Sequence, residues 1–507
     1  MAGLAAVLSD TKKKDNKTRE LLSLLSQNIS HRGRKTKLTK DINGIKNGCA
    51  CLLSNYSIEP ESLENNDGSF TFIDGRIYNL DLLMNSQNIS GIQKSAGDSQ
   101  KFSLLFRKMG TRLFPLLEGS FAILHSDSEG NVYALRDFIG RKPLYFAAGR
   151  KENLIMIGSE IKVFRDIGND FIIYELCPGS FIKNTDKQVD FKRLDNNCIT
   201  AKEEISLGES VENIDRFLNA AIEKRLSGKS LKYGVWLSGG LDSSIIAAIM
   251  KNYKDEIYTY SVGFDNSSDI IYSRKVAEHI GSNHQEYNLD INEIFKNIPE
   301  VIYTLESFDA PLVRSSIGNL IVSKISSESD IIFSGEGGDE VFAGYNYFLD
   351  MNSDDSVQEG LYSAINSLHN TALQRVDRFA NKYSVDVKLP LLDEQLIDYS
   401  LGIPAELKID KKKNATKNIL RKVAEKYLPE DVVWRTKDKF WEGSGIYDKL
   451  KNKIDGIISD KEFRDNNLLK DGFKLRNKEE YYYYKTFTGF FHDIDYSRFL
   501  SFTEDFN

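Results

Sequence analysis

Long apolar runs are absent from this chain of 507 residues. A helix that crosses a bilayer needs about 18 or more consecutive apolar residues, and no stretch reaches that length. The first residues, MAGLAAVLSDTKKK, place their apolar part before their lysines, which is the reverse of a secretory signal. We therefore expect no membrane partner and a cytoplasmic location.

The chain also has few cysteines, and its net charge is negative. The four cysteines show neither zinc spacing nor a disulfide framework: Cys49, Cys51, Cys177 and Cys198. A net charge of −7 argues against nucleic acid as the main partner. The chain is too long for one ordinary core, so two or more domains are expected.

The first part of the chain alternates short apolar segments with turn residues. Examples are GSFTFIDGRIYN, GSFAILHSD, NVYALRD and NLIMIGSE, and this spacing predicts stacked antiparallel sheets. The strands stop near DFKRLDNN, and the polar stretch 199–213 is interpreted as a linker. Strands and helices alternate beyond it, which predicts a parallel sheet covered on both faces. Ligands are expected at the carboxyl ends of its strands.

The segment YGVWLSGGLDSSIIAAIM, residues 233–250, places a glycine loop between an apolar strand and a helix. Gly239 and Gly240 let the backbone turn, and the serine hydroxyls and helix N–H groups suit a phosphate. No lysine follows the second glycine, so this is not the nucleotide loop that ends in Gly-Lys-Ser/Thr. Asp242 would repel a phosphate unless a metal bridged them, so the loop predicts Mg²⁺. The alternative is an ordinary glycine–serine turn.

A second glycine loop, FSGEGGDEVFAGY, covers residues 333–345 and carries Glu336, Asp339 and Glu340. Three carboxylates on one loop are costly unless they bind metal or handle protons. Both loops follow predicted strands, so they are expected to face one site. The lysine-rich segment KIDKKKNATK, residues 408–417, is interpreted as mostly a solvated loop rather than a phosphate contact.

Together the two loops resemble those of the asparagine synthetase family, and the resemblance extends over nearly the whole chain. It includes LESFDAPLVRSS, LQRVDRFANKYSVDVKLPLLD and RTKDKFWEGSG, and near the N-terminus HRG, GRIYN, RDFIGRKPLYF and SEIKVF. The resemblance implies an α/β protein with two domains. Residues 1–200 would form an antiparallel β-sandwich of the N-terminal-nucleophile amidotransferase type, and residues 210–507 a parallel-sheet ATP-pyrophosphatase synthetase domain.

For the synthetase domain the resemblance implies ATP and Mg²⁺ as cofactors, with an acyl-adenylate and pyrophosphate formed in the first step. It assigns one set of residues to the phosphates and magnesium: Ser238, Gly239, Gly240, Asp242, Ser243 and Ser244. Asp339 resembles the second magnesium carboxylate. Another set would frame the adenine: Leu237, Val262 and Gly335.

Two catalytic roles follow from the same resemblance. Glu336 matches the acid that takes a proton from the attacking amine. Lys437 matches the lysine that stabilises charge as the adenylate forms and breaks. The alternative for Lys437 is a surface lysine, which the surrounding RTKDKF match makes the weaker interpretation.

The N-terminal domain departs from the family pattern at the positions that hydrolyse glutamine. Family glutaminases begin Met-Cys-Gly, whereas this chain has Ala2, whose methyl group cannot be a nucleophile. Asn55 stands where the family has Arg, Asp74 where it has Asn, and Arg76 where it has Glu. Residues 97–98 still match the region that holds the glutamine amino group. These changes predict a glutaminase fold without glutaminase activity, retained as a scaffold.

The sequence therefore predicts an ATP-dependent carbon–nitrogen ligase that joins a carboxylate, aspartate or a related acid, to ammonia or another amine. Its partners would be small-molecule carboxylate and amine substrates, and a homodimer stays open. One alternative is an intramolecular cyclase like the β-lactam synthetases, which also lack the cysteine but have tyrosine where this chain has Glu336. A tRNA-modifying ATP pyrophosphatase is disfavoured by the missing cysteine pair. An inactive regulatory homologue is disfavoured by four intact side chains: Asp242, Glu336, Asp339 and Lys437.

Overall fold

A computed structural model gives the structure of the chain in two compact units, Met1–Arg193 with Gly489–Ser501 and Leu194–Thr488 with Phe502–Asn507. It describes residues 2–9, 16–33, 35–43, 47–55, 67–89, 96–150, 153–168, 170–185, 187–191, 205–226, 231–265, 267–436, 446–469, 472–496, 498–500 and 502–503. Within these ranges no helix has the length and apolarity needed to cross a bilayer.

The first unit contains antiparallel strands. They are β1 (Ala2–Ser9), β2 (Thr36–Ile42), β3 (Asn47–Ser54), β4 (Phe70–Ile77), β5 (Gly119–Ser126), β6 (Val132–Arg136), β7 (Tyr145–Gly149), β8 (Leu154–Gly158), β9 (Phe171–Glu175), β10 (Ser180–Lys183) and β11 (Gln188–Asp190). One sheet has the order β2-β3-β1-β8-β7-β9 and the other β11-β10-β6-β5-β4. Three helices accompany them in the described part: α1 (Asn16–Asn28), α2 (Leu80–Ser86) and α3 (Asp98–Met109).

The core of the first unit lies between its two sheets. Leu4, Ala6 and Leu8 alternate along β1 and pack with Phe72 of β4 and Leu124 of β5, because successive side chains of a strand point to opposite faces. The outer face of the second sheet packs against α2 and α3 through an apolar cluster that is rich in aromatic side chains. The predicted antiparallel sandwich is confirmed.

The second unit is built on a parallel sheet of order β14-β13-β12-β15-β16. Its strands are β12 (Tyr233–Trp236), β13 (Tyr258–Gly263), β14 (Asn283–Asn288), β15 (Ile331–Phe333) and β16 (Asp386–Lys388). The helices are α4 (Leu207–Glu223), α5 (Leu241–Met250), α6 (Ser268–Ile280), α7 (Ile291–Leu305), α8 (Ala310–Ile325), α9 (Gly338–Val341), α10 (Asp354–Leu368), α11 (Gln374–Lys382), α12 (Glu394–Leu401), α13 (Ala405–Lys408), α14 (Asn418–Ala424), α15 (Glu430–Val433), α16 (Ile446–Asp455), α17 (Asp460–Asn466) and α18 (Lys478–Phe490).

The predicted parallel sheet is confirmed, and its central strands place the two glycine loops side by side. β12 pairs with β13 on one side and β15 on the other, both in parallel. The loops that follow β12 and β15 therefore leave the same edge of the sheet from adjacent strands. This edge is where open α/β sheets bind their ligands.

The interpretation of residues 199–213 as a linker is wrong over its last part. Helix α4 begins at Leu207, and the hydroxyl of Ser206 caps it by accepting a hydrogen bond from the backbone N–H of Glu209 at 3.2 Å. A serine followed three residues later by glutamate is a helix-start pattern. The polar composition of this stretch had concealed it.

Candidate active site

The first glycine loop, residues 238–244, connects β12 to α5. Gly239 has a φ of +71°, and a Cβ there would lie 2.5 Å from the backbone nitrogen of Ser273, so only glycine fits. The hydroxyl of Ser244 donates to the carbonyl of Gly240 at 2.7 Å, and that of Ser243 to the same carbonyl at 3.3 Å. The loop thus fixes the N-terminus of α5 at the carboxyl edge of the sheet, where its N–H groups favour an anion.

The second glycine loop, residues 334–340, connects β15 to α9 and lies directly against the first. A Cβ on Gly335 would be 2.7 Å from the backbone nitrogen of Ser243, and a Cβ on Gly338 would be 2.4 Å from the carboxyl group of Asp242. Glycine at both positions is what allows this approach. The two loops therefore meet at one site, as their positions in the sequence predict.

A buried lysine joins the two aspartates predicted to bind magnesium. The ammonium of Lys417 lies 2.5 Å from Oδ2 of Asp242 and 2.8 Å from Oδ1 of Asp339. Burial alone would lower the pKa of Lys417, but the two carboxylates outweigh it and raise the pKa above its ordinary value. Lys417 immediately precedes α14 and is 4% exposed.

The interpretation of residues 408–417 as a solvated loop is wrong at both of its ends. Its central lysines are exposed, but Lys408 and Lys417 are buried. The signal that identifies Lys417 is its place directly before the apolar helix α14 rather than the lysine content of the segment.

The three carboxylates of the second loop have three different partners. Asp339 pairs with Lys417, while Glu336 accepts a hydrogen bond from the guanidinium of Arg375 at 2.7 Å. Glu340 is buried and accepts from the hydroxyl of Tyr345 at 2.5 Å. Burial, together with the charge of Asp339, raises the pKa of Glu340 to about 7. The three carboxyl groups therefore have different surroundings: Asp339 and Glu336 are ion-paired, and Glu340 is buried against a tyrosine hydroxyl.

The residues expected to frame an adenine lie at the ends of β12 and β13 and at the start of the second loop. The backbone N–H of Leu237 donates to the carbonyl of Tyr260 at 2.8 Å, which extends the ladder between the two strands. Leu237 and Val262 are 1% and 7% exposed. Both are therefore buried apolar residues at the edge of the sheet from which the first loop leaves.

Lys437 lies outside the described residues. Arg435, two positions before it, donates to Oδ1 of Asp269 at 2.7 Å and to the hydroxyl of Ser268 at 2.9 Å. Both partners belong to the first turn of α6, which follows β13. Arg435 is thereby held at the same edge of the sheet as the two glycine loops.

Two family models match the chain. Residues 213–354 and 349–485 match the asparagine synthase family, and residues 1–171 match the glutamine amidotransferase domain family. A glutamine-hydrolysing asparagine synthetase from Gallus gallus is 30% identical over 92% of this chain and 90% of its own length. The chain belongs to the asparagine synthase family.

Other relatives cover the same extent. A probable glutamine-hydrolysing asparagine synthetase from Dictyostelium discoideum is 27% identical over 96% of this chain and 93% of its own. The glutamine-hydrolysing asparagine synthetase B from Escherichia coli strain K12 is 28% identical, with coverages of 83% and 78%. Among solved structures, the match to an NMN synthetase from Francisella tularensis covers 60% of this chain and 100% of that chain, at 14% identity and a TM-score of 0.23. As a member of the asparagine synthase family, the chain is an ATP-dependent carbon–nitrogen ligase that forms AMP and pyrophosphate.

In the amidotransferase-like unit of this asparagine synthase family member, buried ion pairs surround Ala2. The backbone N–H of Ala2 donates to Oδ1 of Asp74 at 2.9 Å, and its carbonyl accepts from Nε of Arg32 at 2.9 Å. The guanidinium of Arg32 also reaches Oδ2 of Asp74 and Oε1 of Glu160, each at 2.7 Å. All three charged side chains are fully buried.

Glu160 gathers further positive charge. His31 lies 3.0 Å from Oε2 of Glu160, and the ammonium of Lys162 lies 2.5 Å from the same oxygen. Burial works to raise the pKa of Glu160, but His31, Lys162 and Arg32 hold it well below its ordinary value. Glu160 is therefore ionised, and its carboxylate is surrounded by His31, Arg32 and Lys162.

Arg76, which stands where the family has Glu, lies close to Asp98 in the same unit. The guanidinium of Arg76 lies 4.0 Å from Oδ2 of Asp98, which matches the region that holds the glutamine amino group. Burial raises the pKa of Asp98, and the charge of Arg76 offsets part of that rise. Arg76 therefore places a positive charge beside this carboxylate.

Proposed function

We propose that this enzyme joins a carboxylate, aspartate or a related acid, to ammonia or another amine without hydrolysing glutamine. The observation that carries the proposal is the surroundings of Ala2. A methyl group stands at the position of the family nucleophile, and Asp74 and Arg32 bind the backbone on both sides of it. A methyl group cannot attack an amide carbon as a thiol would.

The substitutions around Ala2 support the same proposal. A glutamine substrate carries an ammonium that needs a carboxylate, and Arg76 already lies beside Asp98. Asn55, where the family has Arg, is neutral and 6% exposed, so it offers no charge to a substrate carboxylate. The unit then serves as a scaffold, with its core between two sheets.

The first step of the proposed reaction takes place at the two glycine loops. A carboxylate oxygen of the substrate attacks the α-phosphorus of ATP, and the bond to the pyrophosphate oxygen breaks. The N-terminus of α5 and the hydroxyls of the first loop bind the phosphates, because N–H and O–H donors converge there. The product is an acyl-adenylate together with pyrophosphate.

Asp242 and Asp339 fit a magnesium ion. They are hard oxygen donors from two loops, and the ammonium of Lys417 lies between them. Within the described ranges no group of three or more His, Cys, Asp or Glu side chains forms a metal site. Two carboxylates match the needs of Mg²⁺, which is usually held by one or two carboxylates with water and substrate phosphate as the other ligands. When bound, magnesium supplies positive charge to the phosphate oxygens.

The second step is attack of the amine on the acyl carbon. The nitrogen forms the new amide bond as the bond to AMP breaks, and Glu336 takes the proton that the nitrogen loses. Arg375 holds the Glu336 carboxylate by a hydrogen bond of 2.7 Å. Lys437 stabilises the charge that moves onto the phosphate oxygens. An ionisable carboxylate at position 336 favours an external amine over the cyclase alternative.

Pyrophosphate release tests the proposal. The enzyme is given ATP, magnesium and one candidate carboxylate at a time, with ammonium, with glutamine, or with neither. We expect release with aspartate or a related acid in the presence of ammonium and no increase when glutamine replaces it. Glutamine-dependent release accompanied by glutamate would contradict the proposal.

The free thiols of Cys49, Cys51 and Cys177 support a cytoplasmic location, where thiols stay reduced.

A further inference from the structure

Lys417 lies at the centre of the candidate magnesium site, yet the reaction described above gives it no role. Its backbone has a φ of +53°, a region that residues other than glycine rarely adopt. The side chain from this strained position reaches both Asp242 and Asp339 with its ammonium. An uncommon backbone conformation and two ion pairs together fix the ammonium between the two carboxylates.

The cluster is closely packed. A Cβ on Gly344 would lie 2.1 Å from Oδ1 of Asp339 and 2.1 Å from Cε of Lys417, so a side chain at position 344 would displace the lysine. Gly338 leaves space in the same way for the carboxyl group of Asp242. The ammonium therefore occupies the position between the two carboxylates that a shared cation would need.

We propose that Lys417 and a divalent cation compete for Asp242 and Asp339, so that the metal binds only together with the nucleotide. This inference rests on the assignment of the two aspartates to magnesium in the proposed function. Without nucleotide, the ammonium offsets part of the repulsion between two partly buried carboxylates. Nucleotide phosphates offer the ammonium new oxygen acceptors, so it leaves the aspartates to the metal. Because coupling is reciprocal, the metal and the nucleotide strengthen each other's binding.

Electron paramagnetic resonance of Mn²⁺ tests the inference without any catalytic readout, because the signal of the hydrated ion is lost on binding. The wild-type enzyme alone should leave the free Mn²⁺ signal unchanged. With a non-hydrolysable ATP analogue it should reduce the signal beyond the loss that the analogue causes in the absence of enzyme. Lys417→Met should bind Mn²⁺ without nucleotide, with a dissociation constant about 5- to 150-fold below that of the wild type. Lys417→Arg keeps the charge and should behave as the wild type. Lys412→Met, at an exposed position of the same segment, is the matched control.

The outcomes separate this inference from the proposed function. Wild-type enzyme that binds Mn²⁺ equally well with and without the analogue overturns the competition, and this holds even if Lys417→Met does not fold. Folded Lys417→Met that gains no Mn²⁺ affinity overturns it as well. If the wild type fails to bind Mn²⁺ even with the analogue, the assignment of magnesium to Asp242 and Asp339 is wrong, and the inference falls with it.

Discussion

The guanidinium of Arg375 lies 2.7 Å from Oε1 of Glu336 and holds this carboxylate at the start of the second glycine loop. Arg375 also donates to Oδ1 of Asn319 at 3.0 Å, which fixes the direction of the guanidinium. The Glu336 side chain remains 21% exposed. A carboxylate that is oriented from one side and accessible from the other is suited to accept a proton from an incoming amine.

Replacing Glu336 by Gln should separate the two steps of the reaction. The amide keeps the size of the side chain and a hydrogen-bonding oxygen but cannot accept the proton, so amide formation should fall about 10²- to 10⁴-fold. Exchange of labelled pyrophosphate into ATP, which reports the first step, should remain. Glu328→Gln, at a side chain that is 83% exposed, is the control. Loss of exchange in Glu336→Gln would place Glu336 in the metal or substrate site instead.

Replacing Asp242 or Asp339 by Asn should abolish the first step itself. Each change removes a charge that the magnesium ion and Lys417 both use, and a metal ion contributes several kcal/mol to a phosphoryl transition state. Pyrophosphate exchange should therefore fall at least about 10³-fold. The control is Asp355→Asn, at an exposed position. Exchange that survives in either variant would mean that the aspartate concerned does not bind the metal.

Restoring the missing thiol should not restore glutaminase activity. In Ala2→Cys, Asn55 would still offer no charge to a substrate carboxylate, and Arg76 would still lie beside Asp98. We expect no glutamate release from glutamine, measured beside a glutamine-hydrolysing relative as the positive control. Release at a rate comparable to synthesis would show that a single substitution separates this unit from activity.

The ion pairs of Glu160 should make the first unit sensitive to acid. The folded pKa of Glu160 lies well below its ordinary value of 4.5. Its contribution to the free energy of unfolding is therefore complete above about pH 4.5 and decreases as the pH falls below it. Glu160→Gln should lose about 3–5 kcal/mol at neutral pH, because it breaks a buried pair.

Hydrogen exchange of β1 reports this local stability, since the amide of Leu4 donates to Ser159 beside Glu160. The difference between wild type and Glu160→Gln should shrink in acid. Arg19→Met, which breaks an exposed pair with Asp41, should cost no more than about 1 kcal/mol at any pH. A difference for Glu160→Gln that does not depend on pH would mean that packing, not charge, accounts for its effect.

The sequence predicted the elements that depend on local pattern. The alternating apolar segments became the sandwich, and strand followed by double glycine placed residues 238–244 and 334–340 at one edge of the parallel sheet. Contacts between distant segments could not be predicted in this way. Lys417 reaches Asp242 across 175 positions of sequence, and Arg32 reaches Asp74 across 42. Neither pairing leaves a periodic signal, because each is set by tertiary packing.

The source of the transferred nitrogen tests the central claim most directly. The enzyme is given ATP, its carboxylate substrate, unlabelled ammonium and glutamine labelled with ¹⁵N in the amide. The mass of the amide product is then measured by mass spectrometry. Our account predicts an amide product that carries no ¹⁵N. Product enriched in ¹⁵N would show that the first unit hydrolyses glutamine and would contradict the account.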